Sequence, residues 1–187
     1  MQKFVRQQIL NQRKRITPNA RQRYHQAIAD AFSTLFPRCH GLKIASYLAM
    51  DDEADPALIE HHIKRTCKEI YHPILHPFRK RMMLFGSADK PRCLNRFHIE
   101  EPCFDADDVI APWELDVVLM PLVAFDGNRH RIGMGGGFYD SSFHFRRFHH
   151  TPLLIGIAYD EQRLDAIAKN EWDIIMDKII TPSGIIG

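Results

Sequence analysis

The sequence predicts an α/β layered fold, with a mostly parallel central sheet flanked by helices. Three observations predict it. LDVVLMPLVAF (115–125) and LLIGIAY (153–159) are apolar at successive positions, the pattern of strands buried on both faces of a parallel sheet. Stretches of strand composition alternate with stretches of helical spacing. Four of the ten glycines crowd into RIGMGGGFYD (131–140), directly after an apolar run. Such a density weakens helix and strand alike, so something there requires backbone without side chains.

The elements follow in order. The first 25 residues hold seven Lys/Arg and no acid, with Phe4, Val5, Ile9 and Leu10 near helical spacing, which predicts a basic amphipathic helix. Thr17 and Pro18 suit the cap and first position of a second helix reaching toward Leu35. KIASYLAM (43–50) has strand composition. A helix starts near Asp55-Pro56, with Leu58, Ile59 and Ile63 on one face. EIYHPIL (69–75) and RMMLFG (81–86) are strands, and 86–115 is irregular around three prolines. The buried strand 115–121 delivers the glycine loop, with Asp126-Gly127 as a plain turn. SSFHFRRF starts a helix, LLIGIAY is a strand, DEQRLDAIAKN a short helix, and KIITP closes the pattern.

A length of 187 residues suits one domain over 1–187. Hydrophobic residues at 45% and charged residues at 26% are an ordinary globular mixture. A net charge of +2 is too small to argue for nucleic acid. No apolar run reaches membrane-spanning length, and the N-terminus lacks a signal peptide's apolar stretch. Cys39, Cys67, Cys93 and Cys103 are scattered and form no C-x-x-C, so they read as free thiols in a reducing cytoplasm. The eleven histidines form no metal motif and read as surface residues.

The loop's chemistry is that of an anion cradle. Successive N–H groups without Cβ atoms can turn toward a phosphate chain. Arg131 adds a forked cation, and Asp140 a hard oxygen ligand such as Mg²⁺ prefers. A structural turn explains the glycines as well, and spacing alone does not decide. The loop is neither a Rossmann G-x-G-x-x-G nor a Walker P-loop.

The longer string MPLVAFDGNRHRIGMGGGFYD resembles the signature of the 5-formyltetrahydrofolate cyclo-ligase family. The resemblance extends along nearly the whole chain, through Arg6, SYLAMDDEAD, IEEP (99–102), PLLIGIAYDEQ, EWD and the terminal I-T-P. It implies an α/β enzyme, expected to be a monomer, that uses MgATP to convert 5-formyltetrahydrofolate to 5,10-methenyltetrahydrofolate. It implies no nucleic acid and no membrane partner. By position, Arg131 and Gly133, Gly135, Gly136, Gly137 and Tyr139 match the ATP loop, with Lys3 and Arg6 as N-terminal phosphate contacts. Asp140 and Asp173 match metal-binding aspartates. Leu48 and Glu53 match the folate-contacting strand end and acid, and Met134 and Phe138 join them on the substrate side. Arg131, Tyr139 and Asp140 are the expected catalytic residues.

The chain departs from the pattern in places. Gly136 stands where many members carry a lysine, and Gln2 falls on the usual N-terminal lysine with Lys3 beside it. Phe138 replaces a tyrosine, Ser141 a frequent arginine and Leu122 a frequent glycine.

Each site residue also has a structural reading. Glu53 taken alone reads as a loop acid before a helix, a reading its neighbouring motif reverses, Asp140 also as a helix cap, Tyr139 as a packed aromatic and Arg6 as part of a solvated basic face. Trp113 and Trp172 read as packing residues. Phe78, Met82 and Met83 read as core or as apolar walls for a folate. Two further functions stand as alternatives: a paralogue acting on another formamide, and a basic nucleic-acid-binding module.

Overall fold

The computed structural model describes residues 2–50, 52–66 and 69–187. Two helices come first, α1 (Gln2–Lys14) and α2 (Pro18–Leu35). Pro18 takes the first turn of α2, and the Thr17 side chain accepts from Ala20 N at 3.3 Å, so the sequence signal for this boundary is realised. There follow β1 (Ile44–Ala45), α3 (Ala57–Thr66), β2 (Ile70–Leu75), β3 (Met83–Ser87), β4 (Arg92–Leu94), β5 (Glu100–Pro102) and β6 (Val109–Ile110). The second half contains β7 (Val117–Pro121), β8 (Ala124–Phe125), β9 (Arg131–Ile132), α4 (Phe138–Ser142), β10 (Leu153–Ile157), β11 (Lys178–Thr181) and β12 (Gly184–Ile186).

Eight strands form one sheet in the order β12-β11-β10-β7-β1-β2-β3-β6. Its centre is parallel, from β11 through β10, β7 and β1 to β2. The outer pairs are antiparallel. Alternate side chains go to opposite faces. Ile44, Ile70, Val117, Leu119, Ile155 and Ile180 pack with Ile28 and Phe32 of α2 and Ile59 and Ile63 of α3. Ala45, Val118, Met120, Leu154 and Ile179 pack on the other face with Phe125, Phe143 and Ile174. This accounts for the continuous apolar runs: both faces of β7 and β10 are covered.

Several sequence expectations are corrected. The strand expected over 43–50 keeps only Ile44–Ala45 and one further ladder bond, Ser46 N to Tyr71 O at 2.8 Å. The chain then leaves the sheet. Leu58 is 40% exposed, because α3 buries only the Ile59–Ile63 stripe. Phe4 is exposed on α1, which buries Ile9 instead. The stretch 86–115 contains the β4–β5 hairpin and an edge strand. A second hairpin, β8–β9, stands between the buried strand and the glycine loop.

DEQRLDAIAKN forms only a single 3₁₀ turn, Asp160–Gln162. The Gln162 side chain accepts from Tyr159 N at 2.7 Å and donates to Leu122 O and Val123 O, pinning this segment to β7's exit rather than letting a helix run on. Two cysteines expected to be free are bridged. The β4–β5 pairing brings Cys93 and Cys103 to a Cα separation of 5.3 Å, within the range a disulfide spans. Cys39 is free and buried, and Cys67 lies outside the described residues.

Candidate active site

From β1 the chain proceeds to β2 on one side, and from β7 to β10 on the other. Between β1 and β7 the winding reverses, and ligands in such sheets bind beyond the carboxyl ends of the strands at this point. A cavity of about 1330 Å³ opens there. Single small-molecule sites run to about 300–1,000 Å³, so there is room for two substrates.

The floor is the turn after β1. Leu48, Met50 and Glu53 reach the cavity because the chain has left the ladder. Glu53 is 8% exposed, and its Oε2 accepts from Met50 N at 3.1 Å. Burial pushes its carboxyl above the ordinary glutamate value, against the opposing pull of the Met50 amide and of Arg13. The turn is held from three directions. Arg13 of α1, itself 3% exposed, binds both oxygens of Asp52 at 3.0 and 2.9 Å. The Tyr47 hydroxyl donates to Ala54 O. The Tyr159 hydroxyl lies 3.0 Å from Glu53 O and 2.7 Å from His25 Nε2.

The glycine loop forms the opposite wall. Gly135 (φ +95°) and Gly137 (φ +69°) adopt backbone that side chains resist. The Arg6 guanidinium crosses the loop: its Nε donates to Gly133 O at 2.8 Å, and a Cβ on Gly135 would meet it at 3.4 Å. Bare backbone here admits a cation over the loop. Arg131 and Asp140 close the loop's ends, Nη2 to Oδ1 at 2.8 Å. Arg131 also donates to Ile174 O at 2.8 Å, and Asp140 Oδ1 accepts from Ile174 N at 3.3 Å. Tyr139 also lines the cavity. Burial pushes its hydroxyl well above the usual tyrosine value, Glu53 adds to this, and Arg131 opposes it.

Of the residues expected at the site, the structure brings Arg6, Arg131, Gly133, Met134, Gly135, Gly136, Gly137, Phe138, Tyr139, Asp140, Asp173, Leu48 and Glu53 to one cavity. Lys3 is exposed and not among its lining residues. Asp173 Oδ2 accepts from the Asn170 amide at 2.8 Å and its side chain at 3.1 Å. The helix after the loop, α4, is only five residues long, so little dipole stands behind the glycines. Among the described residues no group of three His, Cys, Asp or Glu side chains forms a metal cage.

Sequence reasoning missed one whole wall. The β4–β5 hairpin contributes Asn95, Phe97, Ile99 and Glu101. Glu101 Oε2 accepts from Leu75 N and from Asn95 Nδ2, both at 3.0 Å, which fixes the hairpin to the end of β2. Phe97 meets Phe138 edge-on at 6.0 Å, across the gap between hairpin and glycine loop. Two three-residue strands separated by Asn95–Ile99 carry no alternating apolar signal, and only the E-P dipeptide marked the place. The tryptophans are not core residues: Trp113, 61% exposed, packs edge-on against Phe145 at the surface, and Trp172, 62% exposed, lines the cavity. Met83 lines it too, whereas Phe78 is 91% exposed on a turn.

Fold and site together define an α/β enzyme with a switch-point cavity, a buried acid at one end and an arginine-crossed glycine loop at the other. Comparison with known proteins makes this specific. The model of the 5-formyltetrahydrofolate cyclo-ligase family matches residues 1–182. The chain is 35% identical over 179 residues to the 5-formyltetrahydrofolate cyclo-ligase of Escherichia coli (strain K12), a match covering 95% of this chain and 98% of that protein. It is 31% identical over 179 residues to the enzyme of that name from Haemophilus influenzae, covering 94% and 95%. The fold is that of the 5,10-methenyltetrahydrofolate synthetase of Aquifex aeolicus (TM-score 0.81, 22% identity, 98% and 91% covered). It is likewise that of the Mycoplasma pneumoniae 5,10-methenyltetrahydrofolate synthetase (TM-score 0.75, 23% identity, 97% and 98% covered). The chain belongs to the 5-formyltetrahydrofolate cyclo-ligase family. Among the described residues no helix is long and apolar enough to cross a membrane.

Proposed function

We propose that the cavity converts 5-formyltetrahydrofolate to 5,10-methenyltetrahydrofolate at the expense of ATP, with release of ADP and phosphate. The observation that carries this reading is the opposition, in one cavity, of a buried acid and a glycine loop crossed by arginine. Glu53 accepts hydrogen bonds from the flat array of N–H donors on the pterin. The apolar Leu48, Met83, Met134, Phe97 and Phe138 flank the ring system. The ATP phosphates lie against Gly133–Gly137, neutralised by Arg6.

A formamide oxygen is a poor leaving group. The γ-phosphoryl passes to the formyl oxygen, and ADP departs. N10 then attacks the formyl carbon and loses its proton, and phosphate leaves with the oxygen, closing the ring. The protein's task is to position groups and neutralise charge, so no covalent nucleophile is required. Arg131 holds the loop in register through Asp140 and Ile174. Tyr139 keeps its proton across the working range and donates a hydrogen bond near the reacting atoms.

Mg²⁺ fits the residues present. Asp140 Oδ1 and Asp173 Oδ2 are engaged by protein donors, while each carboxylate's other oxygen has no hydrogen-bond donor among the described residues. Two carboxylates plus phosphate oxygens and water make the usual Mg²⁺ shell, so no all-protein cage is needed. Bound there, the ion would neutralise charge on the phosphate chain.

The test is direct. Purified protein is mixed with MgATP and 5-formyltetrahydrofolate, and near-UV absorbance of the methenyl product is followed. An ATP-dependent rise is expected. ATP binding without a rise would mean the same chemistry serves another formamide, and no ATP binding would sink the reading of the loop.

A further inference from the structure

A second cavity, about 420 Å³, lies against the segment that carries Asp173 and Asp177, and Asp173 borders both cavities. Ile174 in this segment bonds the Arg131–Asp140 clasp. Met176 N donates to Arg129 O at 3.1 Å, and the carboxylate of Asp177 binds Arg146 at 2.6 and 2.8 Å. The second cavity is lined by Arg129, Arg146, Arg147, His150 and Lys169.

These five come from four separate stretches: the β8–β9 turn, the 3₁₀ turn His144–Arg147, the approach to β10, and the loop before Asp173. The fold brings these cations to one concavity, where Arg129 and Arg146 are partly buried and Arg147, His150 and Lys169 are exposed. Like charges gathered in this way repel, and an anion between them relieves the cost. The two acids that also line the cavity supply only part of that relief. Asp177 is occupied by Arg146 and by Leu154 N at 2.7 Å, and Asp173 Oδ2 by Asn170. Among the described residues Arg147, His150 and Lys169 have no carboxylate partner. Arg146, with its side chain 7% exposed, has a buried Nε with no hydrogen-bond partner.

We infer that this cavity, beside the 173–177 segment, is a second anion-binding site for phosphate or a comparable small oxyanion. Forked and point cations together suit tetrahedral or carboxylate oxyanions. Such an anion has two sources: free phosphate, or the carboxylates at the glutamate end of a bound folate.

The experiment titrates inorganic phosphate into the whole protein at constant ionic strength, read by calorimetry and by the His150 ring resonance, assigned through His150→Gln. A Kd on the order of millimolar and a moving His150 signal are expected. The double variant Arg147→Ser/Lys169→Ser should weaken phosphate about tenfold or more while leaving kcat unchanged. If phosphate does not move His150, but the double variant raises KM for 5-formyltetrahydrofolate and not for its analogue lacking glutamate, the oxyanion is the folate tail. Unchanged phosphate affinity in the variant, a still His150 signal and no effect on either KM would overturn the site.

Discussion

Arg131 and Asp140, nine residues apart, clasp the two ends of the glycine loop at 2.8 Å and share Ile174 as a backbone partner. The arginine is therefore not a free cation awaiting phosphate: its side chain is 5% exposed and already paired. Removing Asp140 leaves that guanidinium without its partner, at a cost of about 1.5–3 kcal/mol. Asp140→Ala should lower Tm and reduce kcat about 10²-fold or more. Arg131→Ala should raise the apparent KM for ATP about tenfold, or ~1.4 kcal/mol. Steady-state kinetics beside thermal melts separate the effects. A variant of Asp140 with intact turnover would remove it from the chemistry.

Burial raises the Glu53 carboxyl above the ordinary glutamate value, with the Met50 amide and Arg13 pulling the other way. Its folded value is raised above the ordinary one, so ionisation costs stability: the penalty is absent below the ordinary glutamate range and appears as pH rises through the raised value. Glu53→Gln should melt higher than the wild type at neutral pH, with the difference shrinking in acid. The same change should raise KM for the folate while leaving KM for ATP nearly unchanged. An ATP-selective defect would reject the pterin contact.

Gly135 and Gly41 make a matched pair. Both have positive φ, +95° and +76°, but a Cβ on Gly135 meets the Arg6 guanidinium at 3.4 Å while one on Gly41 meets nothing. Alanine at either position should cost roughly 1 kcal/mol or more in backbone strain. Only Gly135→Ala should raise KM for ATP, by displacing Arg6. Equal kinetic effects of the two substitutions would show that strain alone, not the arginine, matters.

The sequence revealed what rests on strong local signals. The paired apolar strands are buried on both faces because α2, α3 and the 125–145 region cover them, and Thr17-Pro18 starts α2 by capping chemistry alone. The glycine loop and Glu53 were legible because their neighbours in sequence share the motif. The Phe97 wall and the short reach of β1 were not, since each depends on partners remote in sequence: Glu101 on Leu75, Ser46 on Tyr71. The helix expected after Tyr159 was lost to a single side chain, Gln162, that ties the segment to β7's exit. The Cys93–Cys103 pairing was hidden because its hairpin was.

Arg6 and Arg13 stand two turns apart on α1, about 10.5 Å along the axis, with Ile9 between them. Ile9 is buried and Arg13 grips Asp52, so the anchoring of α1 sets where Arg6 crosses the loop. Burial alone would raise the Asp52 carboxyl, but the Arg13 hydrogen bonds and charge hold it below the usual aspartate range. A depressed value means stability present above the ordinary aspartate value, ~3.9, and lost as pH falls through the folded one. Asp52→Asn should remove that part of the acid destabilisation while lowering Tm near pH 7. It should also raise KM for ATP, although residue 52 lies on the Glu53 side of the cavity, opposite the glycine loop. Melts from acid to neutral pH, paired with ATP kinetics at neutral pH, check both halves. A lowered Tm with unchanged KM for ATP would mean that Ile9 alone suffices to place Arg6.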